Sequence, residues 1–285
     1  MGASGAATDN LLGKLAAEAY DFPARADAPR RSYVIATTPR SGSNMLALDL
    51  WHSGVMGAPL EYFNARHNGD LRRRLGVGES HSLLAAVQAV RTSPNGIFGT
   101  KLFIDHLARY RTELEPLVQP GTLWVYLTRN DKLAQATSLV RASQDGAWIR
   151  LGNAAAPAVS GLRDYDYYEI RAAMRQMERE ETAWENFFAT SGIEPVRLSY
   201  EAACEHLAAA TGHLVKAAGA QIDESAVLEI PQTRVQRDDR SRIWMAAYRN
   251  DASKADASSR GDRFAFTVQR VCSSARVRIG RLLRA

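Results

Sequence analysis

A short apolar run, a tight polar loop and a helix follow one another between residues 32 and 51, and this unit constrains the fold more than any other part of the chain. The run Ser32–Thr37 is rich in β-forming residues and predicts a buried strand. Beyond the loop Thr38–Ser43, the segment Asn44–Trp51 predicts a helix opened by small capping residues. A buried strand that leads directly into a helix is typical of α/β proteins.

The same alternation of strands and helices continues downstream. Further strands are predicted at Ile97–Phe103, Leu123–Thr128 and Glu194–Leu198. Helical patterns are predicted at residues 71–74, 83–90, 131–142 and 170–188, with Gly192 as a C-cap of the last. Strands and helices at these intervals imply crossover connections, so we expect a single α/β domain with a mostly parallel central sheet flanked by helices.

The distribution of charge divides the chain. Its 285 residues include 36 basic and 31 acidic side chains, a net charge of +5. Residues 251–285 hold eight basic and three acidic residues, so the whole excess lies there and the first 250 residues are neutral. A neutral body argues against nucleic acid as a partner. We expect an N-terminal arm at residues 1–31, a domain at 32–250 and a basic extension at 251–285.

The C-terminal extension has the pattern of a cationic amphipathic helix. Its apolar residues recur at helical spacing, while four arginines fall toward the other side. The apolar set is Phe264, Val268, Val271, Ala275, Ile279 and Leu282, and the arginines are Arg270, Arg278, Arg281 and Arg284. Such a helix could contact an anionic membrane, or it could pack on its own domain.

Cysteine usage and the N-terminus favour a reducing, cytoplasmic location. Cys204 and Cys272 are the only cysteines, too few for a disulfide framework. No apolar run is long enough to span a bilayer, and no secretory signal is recognisable. The six histidines show no metal-ligand spacing, so we expect no catalytic metal.

The loop Thr38–Asn44 is the first candidate binding site. At the carboxyl end of a strand, backbone N–H groups and the dipole of the following helix favour an anion. Arg40, Ser41 and Ser43 add a cation and two hydroxyls. The loop lacks the lysine of a Walker A motif and the three glycines of a dinucleotide fingerprint. The alternative is an ordinary strand-to-helix turn with serine caps.

Two further positions could act with this loop. Arg129 ends the third predicted strand, and Thr137 and Ser138 follow one helix later, so a guanidinium and a hydroxyl could meet at a second phosphate. Glu61 precedes the aromatic pair Tyr62–Phe63, which could raise its pKa, and could take a proton from a hydroxyl. Each position alone is also compatible with an ordinary surface residue.

In combination, the segments resemble a known family. They are, in chain order, Thr38–Ser43, Gly54–Phe63, Asn95–Leu102, Arg129–Ser138, Arg141–Gln144 with Trp148, Trp184 and Gln236–Arg249. This ordered set resembles the bacterial sulfotransferases typified by mycobacterial trehalose 2-sulfotransferase. The resemblance covers roughly residues 32–250 and implies a P-loop-like sulfotransferase architecture.

The resemblance also implies a donor, 3′-phosphoadenosine-5′-phosphosulfate (PAPS), and assigns residues to it. The residues on its 5′-phosphosulfate would be Arg40, Ser41, Gly42, Ser43 and Asn44. Those on its 3′-phosphate would be Arg129 and Ser138, with Thr137 as the alternative to Ser138. The segment containing Gln236, Arg240 and Trp244 would close over the nucleotide. Arg40, and Lys101 unless it merely edges the sheet, would stabilise growing negative charge.

For the acceptor, the resemblance implies a carbohydrate hydroxyl with Glu61 as the general base. The residues beside it would be Tyr62, Arg141, Gln144 and Trp148, since a tryptophan face suits a pyranose. Ala58 replaces an acidic residue of the trehalose enzymes, so we expect a sugar rather than trehalose in particular. A glycolipid or lipid-linked oligosaccharide acceptor stays open, as does a non-catalytic nucleotide-binding protein recruited to a surface by its basic extension. The family suggests a homodimer.

Overall fold

Four strands form one parallel sheet in the order β2-β1-β3-β4. The computed structural model describes residues 16–78, 80–145, 164–222, 225, 227–228 and 239–254. The strands are β1 (Arg31–Thr37), β2 (Ile97–Leu102), β3 (Leu123–Thr128) and β4 (Val196–Ser199). The predicted fold class and all four predicted strands are confirmed, with the strand ends shifted by two residues at most.

Helices connect and cover the strands. They are α1 (Ser43–His52), α2 (Asn68–Arg74), α3 (Leu83–Arg91), α4 (Ile104–Arg109), α5 (Arg111–Val118), α6 (Lys132–Asp145), α7 (Tyr167–Ser191), α8 (Tyr200–Glu205) and α9 (Leu207–Ala217). Residues 239–254 are also helical and are called α10. Gly192 ends α7 in the left-handed conformation, with φ 64°, as predicted for its C-cap.

The strand order determines where a ligand can bind. β1 is hydrogen-bonded to β2 on one side and to β3 on the other. The chain therefore runs from β1 to β2 on one side and then crosses over to β3 on the other side of β1. In an open parallel sheet, such a switch point opens a crevice beyond the carboxyl ends of the strands. The end of β1 at Thr37, Lys101 near the end of β2 and Arg129 after β3 share this edge.

Side chains of β1 alternate across the sheet into two cores. Val34 and Ala36 pack on the face covered by α3, α5 and α7. Tyr33 and Ile35 pack on the face covered by α1 and α9. A third cluster joins α6, α7 and α10 around Trp244, which is 4% exposed. The carboxyl edge of the sheet is therefore flanked by packed layers on both faces.

The described part of the predicted N-terminal arm, residues 16–31, packs against the core. Tyr20 is fully buried. Arg91, also fully buried, pairs through Nε with Asp21 at 3.0 Å, and Arg74 pairs with the same carboxylate at 2.7 Å. The domain boundary at residue 31 stays a prediction, but residues 16–31 are packed against the domain.

Several predictions concern parts of the chain outside the described residues. These are residues 1–15, Trp148, Gln236 and the amphipathic pattern at 255–285. Within the described ranges, no helix is both long and apolar enough to cross a membrane.

Replacing Arg91 by leucine tests whether the N-terminal segment is part of the fold. Arg91→Leu should lower the free energy of unfolding by roughly 3 kcal/mol, because it breaks a buried ion pair on one side. Arg73→Leu is the matched control, since Arg73 and its partner Asp70 are both exposed to solvent. Its loss should change the free energy of unfolding only slightly. Urea denaturation measures both, and equal losses would contradict the assignment.

Candidate active site

The β1–α1 loop, residues 38–42, has two residues in the left-handed region. Arg40 has φ 63° and Gly42 has φ 83°. A Cβ at position 42 would lie 2.2 Å from a ring carbon of Tyr200. Glycine is therefore needed at position 42 both for its backbone conformation and for this close approach. Arg40, which has a Cβ, is held in a costly conformation.

The N-terminus of α1 is not capped by a side chain. Gly42 is the N-cap residue, which is a small residue as predicted, and it makes no side-chain hydrogen bond. The hydroxyl of Ser41 lies 2.5 Å from Thr37 Oγ1, which itself donates to Leu127 O at 2.7 Å. The Ser41 hydroxyl is therefore bonded to β1 and does not cap the helix. The backbone N–H groups and the positive dipole end of α1 suit an anion.

Two arginines and a hydroxyl meet beside this helix end. Arg40 Nε donates to Ser138 Oγ at 2.8 Å, and Arg129 Nη1 donates to Arg40 O at 3.1 Å. The guanidinium of Arg129 also lies over the ring of Tyr200, 4.5 Å from its centroid. Thr137 is buried, and its hydroxyl finds no partner among the described residues. Ser138 is therefore the hydroxyl of the pair that faces the loop.

The backbone after β3 is anchored by α8. Glu201 accepts hydrogen bonds from the backbone N–H groups of Asn130 and Asp131, at 3.1 and 3.2 Å. Partial burial opposes ionisation of Glu201, but these hydrogen bonds outweigh it and lower its pKa. Arg129, which precedes Asn130, is thereby held on two sides. α8 holds the backbone that follows it, and the β1–α1 loop accepts a hydrogen bond from its guanidinium.

Glu61 lies at the carboxyl end of β2. Leu60 O accepts from Lys101 N at 3.0 Å, which adds this segment to the edge of the strand. The ammonium of Lys101, 1% exposed, pairs with Glu61 Oε1 at 2.8 Å and donates to Asn44 Oδ1. Asn64 Nδ2 donates to Glu61 Oε2 at 2.9 Å. Lys101 therefore links Glu61 to the first turn of α1.

The pKa of Glu61 is lowered, so the expectation that its aromatic neighbours raise it is wrong. Burial is the largest influence and favours the neutral form, but the charge and hydrogen bond of Lys101, together with the hydrogen bond from Asn64, outweigh it. Tyr62 and Phe63 turn instead into the core. Glu61 is therefore a carboxylate at neutral pH and can accept a proton.

The residues predicted to contact the acceptor are spread over the structure. Tyr62 is fully buried and its hydroxyl donates to Ala58 O, so in this conformation its ring offers no surface to a ligand. Arg141 and Gln144 lie on α6, the helix of Ser138. Arg141 Nη1 donates to Ser241 Oγ of α10, while the amide of Gln144 is buried and has no hydrogen-bond partner among the described residues.

Two of the residues predicted to cover the nucleotide lie on α10. Trp244 packs against α6 and α7 in the third core cluster, and the Arg240 guanidinium stands 4.8 Å from the centroid of its ring. In this arrangement Trp244 acts as a core residue, since its apolar surface is already covered. Within the described part of the chain, no group of three potential metal ligands is present.

Sequence reasoning missed several residues of this edge. Asn64 and Tyr200 are the main ones; Asn64 follows Glu61 by three positions in a tight turn, and Tyr200 directly follows β4 at the same sheet edge. Those placements were the available signals. Gln135 and Trp184 occur in the motifs, but no role was assigned to either of them.

Comparison with known proteins defines the class. Residues 32–251 match the model of the family described as Stf0 sulphotransferase. The match spans most of the chain, so the chain belongs to the Stf0 sulphotransferase family, as the sequence resemblance indicated.

Individual relatives are more distant. The trehalose 2-sulfotransferase of Mycobacterium tuberculosis is 25% identical, over 79% of this chain and 96% of the relative. That of Mycolicibacterium smegmatis is 22% identical, over 78% and 96% respectively. Among solved structures, the sulfotransferase domain from the curacin biosynthetic pathway aligns with a TM-score of 0.44 at 13% identity, over 78% of this chain and 98% of that domain.

Removing the buried cation should reverse the pKa shift of Glu61. In Lys101→Met, the hydrogen bond from Asn64 and the charge of His106 still oppose burial, but the largest opposing influence is gone, so the pKa of Glu61 should rise above the ordinary 4.5. The wild-type carboxylate stabilises the fold above about pH 4.5 and loses that contribution as pH falls through its lower folded pKa, whereas the variant should gain stability on acidification. A carboxyl-carbon NMR titration measures the pKa directly.

Lys132→Met is the control for this titration, since Lys132 of α6 pairs with Glu181 of α7 and not with Glu61. It should leave the titration of Glu61 unchanged. An unaltered Glu61 pKa in Lys101→Met would contradict the ion pair.

Proposed function

We propose that this protein transfers a sulfuryl group from PAPS to a sugar hydroxyl, with Glu61 as the general base. The observation that carries the proposal is the bridge made by Lys101, which joins a carboxylate able to take a proton to the first turn of the anion-binding helix. The proton acceptor and the proposed binding site of the sulfuryl donor therefore lie on either side of Lys101. A direct transfer between two bound substrates requires such proximity.

The residues at the end of β1 fit a donor with phosphate and sulfate groups. The α1 N-terminus offers N–H groups and a positive dipole end, and Arg40 lies beside it. Arg129 and Ser138, which each hydrogen-bond to Arg40, offer a cation and a hydroxyl suited to a 3′-phosphate. PAPS supplies the sulfuryl group and a bisphosphate leaving group. Holding and orienting it falls to these residues, and no metal is needed for that task.

Glu61 supplies the proton chemistry. A sugar hydroxyl is a poor nucleophile at neutral pH, and the Glu61 carboxylate can take its proton as the new bond forms. When Glu61 becomes neutral, Lys101 loses its ionic partner while it stays beside Asn44. The buried positive charge is then available to the donor side at the moment when negative charge grows there.

The acceptor class rests on the relatives, both of which are named for trehalose. We propose trehalose or a related sugar, with a glycolipid or lipid-linked oligosaccharide as the second candidate. In this chain position 58 is an alanine that is fully buried, so no carboxylate beside Glu61 reaches the acceptor from there. Membership of a sulfotransferase family disfavours a purely binding role. A homodimer, a cytoplasmic location and membrane contact through the C-terminal extension also stay proposals.

Glu61→Gln tests the base. The turnover rate should fall by about 10² to 10⁴, since the amide cannot take the proton, while binding of adenosine 3′,5′-bisphosphate should persist. Bisphosphate release with a sugar panel and calorimetric binding measure the two effects. The matched control is Glu185→Gln, which removes an exposed partner of Arg197 and should leave the rate unchanged. Full activity of Glu61→Gln would contradict the assignment.

A pair of variants separates the two neighbouring hydroxyls on α6. Ser138→Ala should weaken adenosine 3′,5′-bisphosphate binding by about tenfold, because a hydrogen bond to a charged phosphate is lost. Thr137→Val should bind it as the wild type does, because the Thr137 hydroxyl is buried and has no hydrogen-bond partner among the described residues. Calorimetric titration distinguishes them, and a larger loss for Thr137→Val would reverse the assignment.

A further inference from the structure

Three carbonyl groups of the β1–α1 connection each accept a hydrogen bond from a side chain. Trp184 Nε1 of α7 donates to Thr37 O at 2.9 Å. Gln135 Nε2 of α6 donates to Pro39 O at 2.8 Å and to Thr38 Oγ1 at 2.9 Å. Arg129 Nη1 donates to Arg40 O at 3.1 Å. These side chains come from three separate places in the chain.

The carbonyl bonds determine the direction of the amides that follow. In a planar trans peptide, the C=O of one residue and the N–H of the next point in opposite directions. Holding Pro39 O therefore directs the N–H of Arg40 away from Gln135, and holding Arg40 O directs the N–H of Ser41 away from Arg129. Carbonyl oxygens would repel an anion at the N-terminus of α1, whereas N–H groups attract it.

The side-chain amide of Gln135 donates two hydrogen bonds through its nitrogen but leaves its buried oxygen without a partner among the described residues. The residue is fully buried. The orientation of its amide is dictated by Pro39 O, which can only accept a hydrogen bond. A buried, unsatisfied oxygen is unfavourable, so the two hydrogen bonds of its amide nitrogen must offset it.

The strained residue of the loop lies next to these contacts. Arg40 has φ 63° although it carries a side chain. Its preceding carbonyl is held by Gln135, its own carbonyl by Arg129 and its guanidinium by Ser138. A strained backbone of this kind persists only where its surroundings over-determine it.

We infer that Gln135 and Trp184 are positioning residues that hold the β1–α1 loop with its amides presented to the anionic donor. The inference rests on the proposed donor-binding role of this loop. Neither side chain needs to touch the donor, because both act through the backbone. Their hydrogen bonds keep the loop in its binding conformation before the donor arrives.

Gln135→Met tests the inference, because methionine keeps the length of the side chain and removes both hydrogen bonds. Amide hydrogen exchange of a peptide spanning residues 37–44, in the protein without ligand, should become at least several-fold faster. The Kd for adenosine 3′,5′-bisphosphate and the KM for the donor should rise by about tenfold, with the KM for the acceptor unchanged. Trp184→Phe, which keeps an aromatic ring but removes the N–H, should act in the same direction.

Val140→Ala is the control for destabilisation, since Val140 lies on the same helix in the third core cluster. It should lower the Tm without changing exchange of the loop or bisphosphate affinity. The inference would be overturned if Gln135→Met lowered only the Tm, as the control does. If the wild type bound no bisphosphate, the proposed donor would be wrong, and the exchange experiment would still show whether Gln135 holds the loop.

Discussion

The site depends on the buried ammonium of Lys101, which pairs with Glu61 and donates a hydrogen bond to Asn44. A charge that is 1% exposed is tolerated only when it is paired, and its two partners come from different parts of the chain. Glu61 follows a segment added to the edge of β2, and Asn44 lies in the first turn of α1. Satisfying one buried cation therefore places the carboxylate beside the first turn of α1.

On the proposed donor side, the group to be bound is an anion rather than a buried cation. A helix N-terminus attracts an anion only if the loop before it turns its N–H groups toward the ligand. In this protein the loop pays for that orientation with a strained Arg40, and side chains from α6, α7 and the end of β3 hold it there. The positive charge that we propose binds a small, highly charged donor is thus confined to a few residues, which is consistent with a neutral net charge over the first 250 residues.

The strands were predictable because buried parallel strands read as short apolar runs with clear ends, and Leu123–Thr128 was predicted to the residue. The family motifs assigned Arg129 and Ser138 to the 3′-phosphate and Arg40 to the 5′-phosphosulfate, whereas the contacts of Arg40 with both residues were not predicted. The pKa of Glu61 was not predictable from its chain neighbours, since its partner Lys101 is 40 positions away. The burial of Tyr20, Tyr62 and Trp244 likewise depends on packing between distant segments, for which a single sequence carries no direct signal.

The most direct test of the account is sulfuryl transfer itself. Purified protein incubated with sulfur-labelled PAPS and a panel of sugars, trehalose included, should yield a labelled sugar and an equal amount of adenosine 3′,5′-bisphosphate. Wild-type protein that bound the bisphosphate but labelled neither free sugars nor glycolipids would contradict the proposed function.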